Sequence, residues 1–148
     1  MKNKIVRGLL IIVITLIVID QVSKILVSNF LKEPVGNEFV GLEIVTNTGM
    51  ALGFNEGNIK NILLTIFVLL IIIRFVKNQI ERIDTKTMVA ISLVLAGGIG
   101  NLIDRFFRGG VLDFIKLYKL PIFNLSDVFV VLGWILLVIF IIDFTRKN

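Results

Sequence analysis

Asp113 and Asp127 sit in a chain that contains no histidine and no cysteine. A Ser-His-Asp triad and a cysteine nucleophile are therefore impossible, and a His- or thiolate-ligated metal is excluded. Acid–base chemistry near neutral pH falls to perturbed carboxylates, to Lys or to Tyr. Two carboxylates held close together cannot both ionise easily, so one keeps a proton where a lone Asp would lose it. One then activates water while the other donates a proton to a scissile carbonyl, which is aspartic-protease chemistry. Such a titration belongs to the pair, and the sequence does not assign base and acid. Spacing alone also allows a plainer reading. Asp127 then begins a helix, where the dipole favours an anion, and Asp113 is a loop residue after Gly109-Gly110. The missing His and Cys turn the reading towards the pair.

The two aspartates close a longer polar stretch, Gly97 to Asp127, flanked by apolar segments. Charges placed in hydrocarbon are costly, and they usually face a bundle interior or a wet cavity. Gly97, Asn101 and Asp104 fall at i, i+4 and i+7, one stripe of a helix. Gly97 and Gly100 allow a neighbouring backbone to come close. Asn101 can both donate and accept, so it can orient an amide or a carboxylate. Arg105 can hold a carboxylate in two-point contact. Alternatively, Asp104 and Arg105 are packing polars that neutralise each other. Asp20 and Lys24 share a helix face at i, i+4 and can form a structural ion pair. A role in shaping the site is compatible with that pairing.

The elements that must hold these groups are membrane helices. The chain has 148 residues, 56% of them hydrophobic, and its mean hydropathy is +0.95. The apolar residues come in long blocks, so the fold class is an α-helical integral membrane protein. We expect one membrane domain over 1–148, with spans at about 8–28, 59–76, 87–107 and 127–144. Residues 32–58 carry Glu33, Glu38, Glu43, Glu56, Pro34 and several glycines. Phe39-Val40, Leu42, Ile44 and Val45 there suggest short strands, a small extracytoplasmic sheet. The basic N-terminus before Leu9–Ile19 has the opening of a signal peptide. Asp20-Gln21 stands where a small-x-small cleavage cue belongs, so the helix is read as retained.

The net charge of +5 is read as topology, because its cations lie beside apolar blocks; no nucleic-acid partner is expected. The N-terminus, the 77–86 loop and the C-terminus are basic, which puts both termini in the cytoplasm and 32–58 outside. The 108–126 connection, with Arg108, Lys116 and Lys119, must then also lie outside. Asp20 is past mid-membrane, roughly 18 Å beyond Gly8 at ~1.5 Å per residue. Asn47 and Gly49 lie in the outer segment, and Asn101, Asp104 and Asp127 lie at the outer ends of spans. Four separated segments thus converge on one edge of the bundle.

At these residues the chain resembles bacterial lipoprotein signal peptidase, or signal peptidase II, over nearly its full length. Asp20-Gln21-Val22-Ser23-Lys24 resembles the family's first-helix motif. Asn47-Thr48-Gly49-Met50-Ala51-Leu52-Gly53 resembles its outer-loop motif. Gly97 through Arg105, with Gly110-Val111-Leu112-Asp113-Phe114, resembles its third motif. Phe123-Asn124-Leu125-Ser126-Asp127 resembles its last. Each motif alone is modestly specific; four in order on the right spans are highly specific. Ser126 stands where Ala is usual, and Leu52 where an aromatic residue is frequent.

The resemblance implies four transmembrane helices with an extracytoplasmic β-cradle, and an intramembrane aspartyl endopeptidase that needs no cofactor and no metal. It implies that Asp113 and Asp127 are the catalytic dyad. Asn47, Gly49, Asn101, Arg105 and Asn124 are expected to bind substrate or support the dyad. Asp20, Lys24, Gly97 and Asp104 are expected to be structural. The implied substrate is a prolipoprotein with a diacylglyceryl group on a cysteine, cut on the amino side of that cysteine. The implied surroundings are the lipids of the bacterial cytoplasmic membrane, with the site on its outer face, and globomycin as an inhibitor; we expect a monomer. Two rival readings stand beside this one. An ion- or proton-coupled carrier would need ionisable groups through the full membrane depth. A non-enzymatic docking protein would need only an exposed polar patch.

Overall fold

The computed structural model describes residues 2–49 and 58–146. Four helices run Lys2–Phe30 (α1), Asn58–Gln79 (α2), Thr85–Phe107 (α3) and Leu125–Arg146 (α4). Each is longer than the apolar span read from the sequence, because polar flanking residues continue the helical hydrogen-bond ladder. Among the described residues, α1, α2 and α3 are long and apolar enough to cross a membrane, and α4 is apolar over Leu125–Phe140. Leu10, Ile14, Phe67 and Ile71 are exposed on the outside of the bundle. A soluble chain would bury such surface, whereas lipid tails accept it.

The central helix is α3, which packs against the other three. Its apolar side chains Met88, Ile91 and Leu95 meet Leu9 and Val13 of α1 and Leu69 of α2. Asp84 caps its start by accepting from Thr87 N at 2.8 Å, the usual service of an N-cap Asp. The α3–α4 contact depends on glycine. A Cβ on Gly97 would come within 2.3 Å of the Ser126 carbonyl oxygen, and one on Gly133 within 2.8 Å of the Ala90 carbonyl oxygen. Small residues let these backbones meet.

One end of the bundle carries a three-stranded antiparallel sheet of order β1-β2-β3, with β1 at Val35–Gly36, β2 at Val40–Asn47 and β3 at Val111–Leu117. Val45 lies opposite Asp113 and Asn47 opposite Val111, with a register irregularity between Leu42 and Val45. The strands expected near 39–45 are present. The third strand corrects the reading of Asp113 as a loop residue. Val111 to Phe114 are all buried, so the run lacks the alternation that marks a half-exposed strand. Its partner β2 is also remote in sequence, so no local hairpin signal announces it. Residues 50–57, including Leu52, Glu56 and the end of the Asn47 motif, lie outside the described residues.

Candidate active site

Asn124 precedes α4 and accepts from Asp127 N at 3.0 Å through its side-chain oxygen. Asp127 reciprocates by accepting from Asn124 N at 3.2 Å. This is the capping-box arrangement, built with Asn and Asp in place of Ser and Glu. It explains why the sequence places Asp127 in the first helical turn, and it fixes the carboxylate there. The other Asp127 oxygen accepts from Asn101 Nδ2 at 2.8 Å.

Asp113 arrives from β3. One of its oxygens accepts from Asn124 Nδ2 at 2.6 Å, and the other accepts from Asn47 Nδ2 at 3.1 Å. Asn124 therefore touches both aspartates, one by its side chain and the other by its backbone N–H. It also donates to Asn101 Oδ1 at 3.2 Å, so its amide is fully used, as a buried amide should be. Asn47 in turn accepts from Gly49 N at 2.9 Å. Asp113 is 2% exposed, and burial pushes its carboxyl up to about 6. The neighbouring Asp127 charge pushes the same way, while the amides of Asn47 and Asn124 and the Lys24 charge oppose it. Arg105, on α3, lies close enough to interact electrostatically with Asp127, Asp113 and Asp104, and it donates to Asn101 O at 3.4 Å.

Beneath this pair lies a second, fully buried cluster. Lys24 Nζ sits 2.8 Å from Asp20 Oδ2 and 2.8 Å from Asp104 Oδ2. Asp20 also accepts from Ser126 N at 2.9 Å, and Asp104 accepts from Leu112 N at 3.2 Å. Arg108 pairs with the second Asp104 oxygen and donates to Gln21 Oε1 at 2.9 Å. Buried ions are tolerated when paired and hydrogen-bonded in this way. The cluster joins α1, α3, β3 and the start of α4. Lys24 also reaches Asn101 Oδ1 at 3.5 Å, which links it to the upper network.

The structure thus brings Asp113, Asp127, Asn47, Asn101, Asn124 and Arg105 together, with Gly49 bonded to Asn47. Asp20, Lys24, Asp104 and Gly97 form the packing beneath. The alternative in which Asp104 and Arg105 neutralise each other meets a different pairing. Asp104 makes its ion pairs with Lys24 and Arg108, because i, i+4 neighbours share a helix face and i, i+1 neighbours do not. Gln21 and Arg108 were not singled out; the i, i+4 spacing of Asp104 and Arg108 was the available signal.

A two-carboxylate site at the edge of a lipid-facing bundle can do acid–base hydrolysis without a metal. A family profile described as "Signal peptidase (SPase) II" matches residues 12–143. A "Lipoprotein signal peptidase" of Fusobacterium nucleatum subsp. nucleatum is 36% identical over 141 residues, covering 90% of this chain and 85% of the relative. One of Borrelia turicatae is 34% identical over 152 residues, covering 90% and 87%. A solved bacterial membrane enzyme structure, determined by the in meso method at 2.3 Å resolution, superposes with a TM-score of 0.83 at 29% identity, covering 95% of this chain and 91% of that one.

Proposed function

This chain belongs to the signal peptidase II family, and from that premise we propose that it is an aspartyl endopeptidase whose catalytic dyad is Asp113 and Asp127. The observation that carries the reading is the Asn124 bridge: 2.6 Å to Asp113 from its side chain and 3.2 Å to Asp127 from its backbone N–H. Two carboxylates from different elements are held to one residue, in a chain without His or Cys.

The reaction needs one proton on the pair. Burial favours keeping it on Asp113, the more deeply buried of the two. The ionised carboxylate takes a proton from water as the oxygen attacks the scissile carbonyl carbon. The protonated one donates to the carbonyl oxygen, giving a neutral gem-diol. On collapse, the carboxylate that took the water proton delivers it to the leaving amide nitrogen, and a gem-diol hydroxyl returns a proton to the carboxylate that had donated, so the dyad ends as it began. Asn101, Asn47 and Asn124 hold both carboxylates in place through the cycle. Arg105 supplies fixed positive charge beside them.

The substrate in this reading is a diacylglyceryl-modified prolipoprotein. It is cut on the amino side of the lipidated cysteine, which frees the signal peptide. A lipidated chain stays in the membrane, so its protease has to meet it there. The sheet end of the bundle faces the outside of the bacterial cytoplasmic membrane, and both termini face the cytoplasm. Globomycin-type inhibitors compete for the dyad, and the working unit is the monomer.

The test uses purified protein in detergent micelles with a diacylglyceryl-modified lipobox peptide, the unmodified peptide serving as control. Wild type should cut only the lipidated peptide, immediately before the modified cysteine by mass spectrometry. Asp127→Asn and Asp113→Asn should remain folded and cut neither. An intact lipidated peptide after incubation with folded wild type sinks the reading and brings the carrier and docking alternatives forward.

A further inference from the structure

Asn61 lies near the start of α2, outside every motif above, and is 3% exposed. A buried amide in a membrane helix is expensive and usually serves a site. Asn61 Nδ2 donates to the Thr48 carbonyl oxygen at 3.4 Å. That carbonyl and the Gly49 N–H belong to one peptide plane. The Gly49 N–H donates to Asn47 Oδ1 at 2.9 Å, and Asn47 Nδ2 donates to Asp113 Oδ2 at 3.1 Å. Every bond in this series points the same way, from α2 to the Asp113 carboxylate. A chain of amides aligned donor to acceptor polarises each member in turn.

We propose that Asn61 is a positioning residue that acts on Asp113 through the Thr48–Gly49 peptide and Asn47. It holds the peptide plane from its carbonyl side while Asn47 holds it from the N–H side. That lock keeps the Asn47 oxygen turned away, so its NH2 group faces Asp113. An unlocked Asn47 could rotate its amide and present an oxygen to the carboxylate, which repels. The backbone gap beside this segment is narrow. A Cβ on Gly110 would lie 2.8 Å from Thr46 Cγ2 and 3.2 Å from the Asn47 carbonyl oxygen, so β3 holds the Asn47 segment from the other side.

The relay favours the ionised form of Asp113, so its loss should raise the pair's upper apparent pKa. Other charges face Asp113: Asp127 from α4, Lys24 from α1 and Arg105 from α3. Asn61 substitutions change none of them, so any shift in the pH profile is attributable to the relay.

The inference rests on the protease reading, and the experiment separates the two. Full pH profiles of kcat and KM are measured on the lipidated peptide for wild type, Asn61→Leu, Asn47→Ala, the double variant, and Thr65→Val. Thr65 is a control one turn on: its hydroxyl donates to the Asn61 backbone oxygen at 2.7 Å, outside the relay. Leucine matches asparagine in size and suits a membrane helix. Asn61→Ala serves as the second variant should Asn61→Leu fail to fold. Asn61→Leu should lower kcat roughly fivefold, the equivalent of one net hydrogen bond. It should leave KM nearly unchanged and move the alkaline limb to higher pH. The double variant should match Asn47→Ala alone, because both act through one path. Thr65→Val should keep the wild-type profile. Multiplicative effects in the double variant, or a wild-type alkaline limb in Asn61→Leu, overturn the inference while leaving the protease reading intact. Failure of wild type itself to cut defeats that reading instead.

Discussion

At the scale of single residues, Asp113 and Ser126 carry the sharpest consequences. An ordinary Asp titrates near 3.8, whereas burial holds Asp113 at about 6 in the folded chain. The unfolded chain thus releases this proton first, and the folded state binds it more tightly. The Asp113 contribution to stability is fully present below about 4, is lost as pH rises through about 6, and levels off above that. We expect the melting-temperature advantage of wild type over Asp113→Asn to shrink across that window by roughly 6–12 °C in detergent. A constant difference from pH 4 to pH 7 would contradict the raised titration. In the proposed mechanism the same proton is needed for catalysis, so kcat/KM should fall with rising pH once the pair's upper apparent pKa is passed. Ser126 is a different case. Its hydroxyl is buried without a hydrogen-bond partner among the described residues, and it points at Gly100, where an added Cβ would lie 2.1 Å away. Ser126→Ala removes an unsatisfied polar group, so it should leave stability unchanged or raise it by about 1 kcal/mol. Gly100→Ala should be destabilising in wild type and milder in the Ser126→Ala background. Thermal unfolding of the four proteins checks both statements.

At the scale of elements, the buried Asp20–Lys24–Asp104 cluster decides how the helices meet. Lys24 belongs to α1, Asp104 to α3, and Asp20 accepts from the first turn of α4 through Ser126 N. Lys24→Met would leave two carboxylates buried face to face. Breaking a buried pair from one side costs about 3–5 kcal/mol, so the melting temperature should drop by roughly 10 °C. Activity per folded molecule should also fall, because Lys24 reaches Asn101, which holds Asp127. A Lys24→Met protein as stable as wild type would show that the cluster is incidental. Much of this arrangement was legible in advance. The i, i+4 spacing of Asp20 and Lys24 announced the pair, and the Gly97–Asn101–Asp104 stripe announced the face of α3 that turns inward. The strand carrying Asp113 was not legible from local pattern. Its first four residues are buried on both sides, and its register is set by β2, more than sixty residues earlier. Asn61 escaped notice for a related reason: a single amide in an apolar block reads as an interruption until its partner on another segment is seen.

At the scale of the whole molecule, the question is which way the bundle sits. The sheet, the proposed dyad and the amide network all occupy one end of the helices. The opposite end carries Lys4, Arg7, Arg74, Lys77, Arg82 and Lys86, and Lys and Arg near span ends are retained in the cytoplasm. Basic residues occur at the sheet end as well, but Arg108 folds back onto Asp104, and Lys116 pairs with Glu43 at 3.3 Å. With no native cysteine, single-cysteine variants report topology without background. Asn37 lies just before β2 and Arg82 lies between α2 and α3, and both are exposed. In intact cells with a permeabilised outer envelope, a membrane-impermeant maleimide should label Asn37→Cys and spare Arg82→Cys until the cytoplasmic membrane is opened. The dyad then lies on the side where exported prolipoproteins present their lipidated cysteine. The reverse pattern would put Asp113 and Asp127 on the cytoplasmic face. Hydrolysis in micelles would stand, but processing of exported lipoproteins would not, because the scissile bond and the dyad would lie across the bilayer from one another.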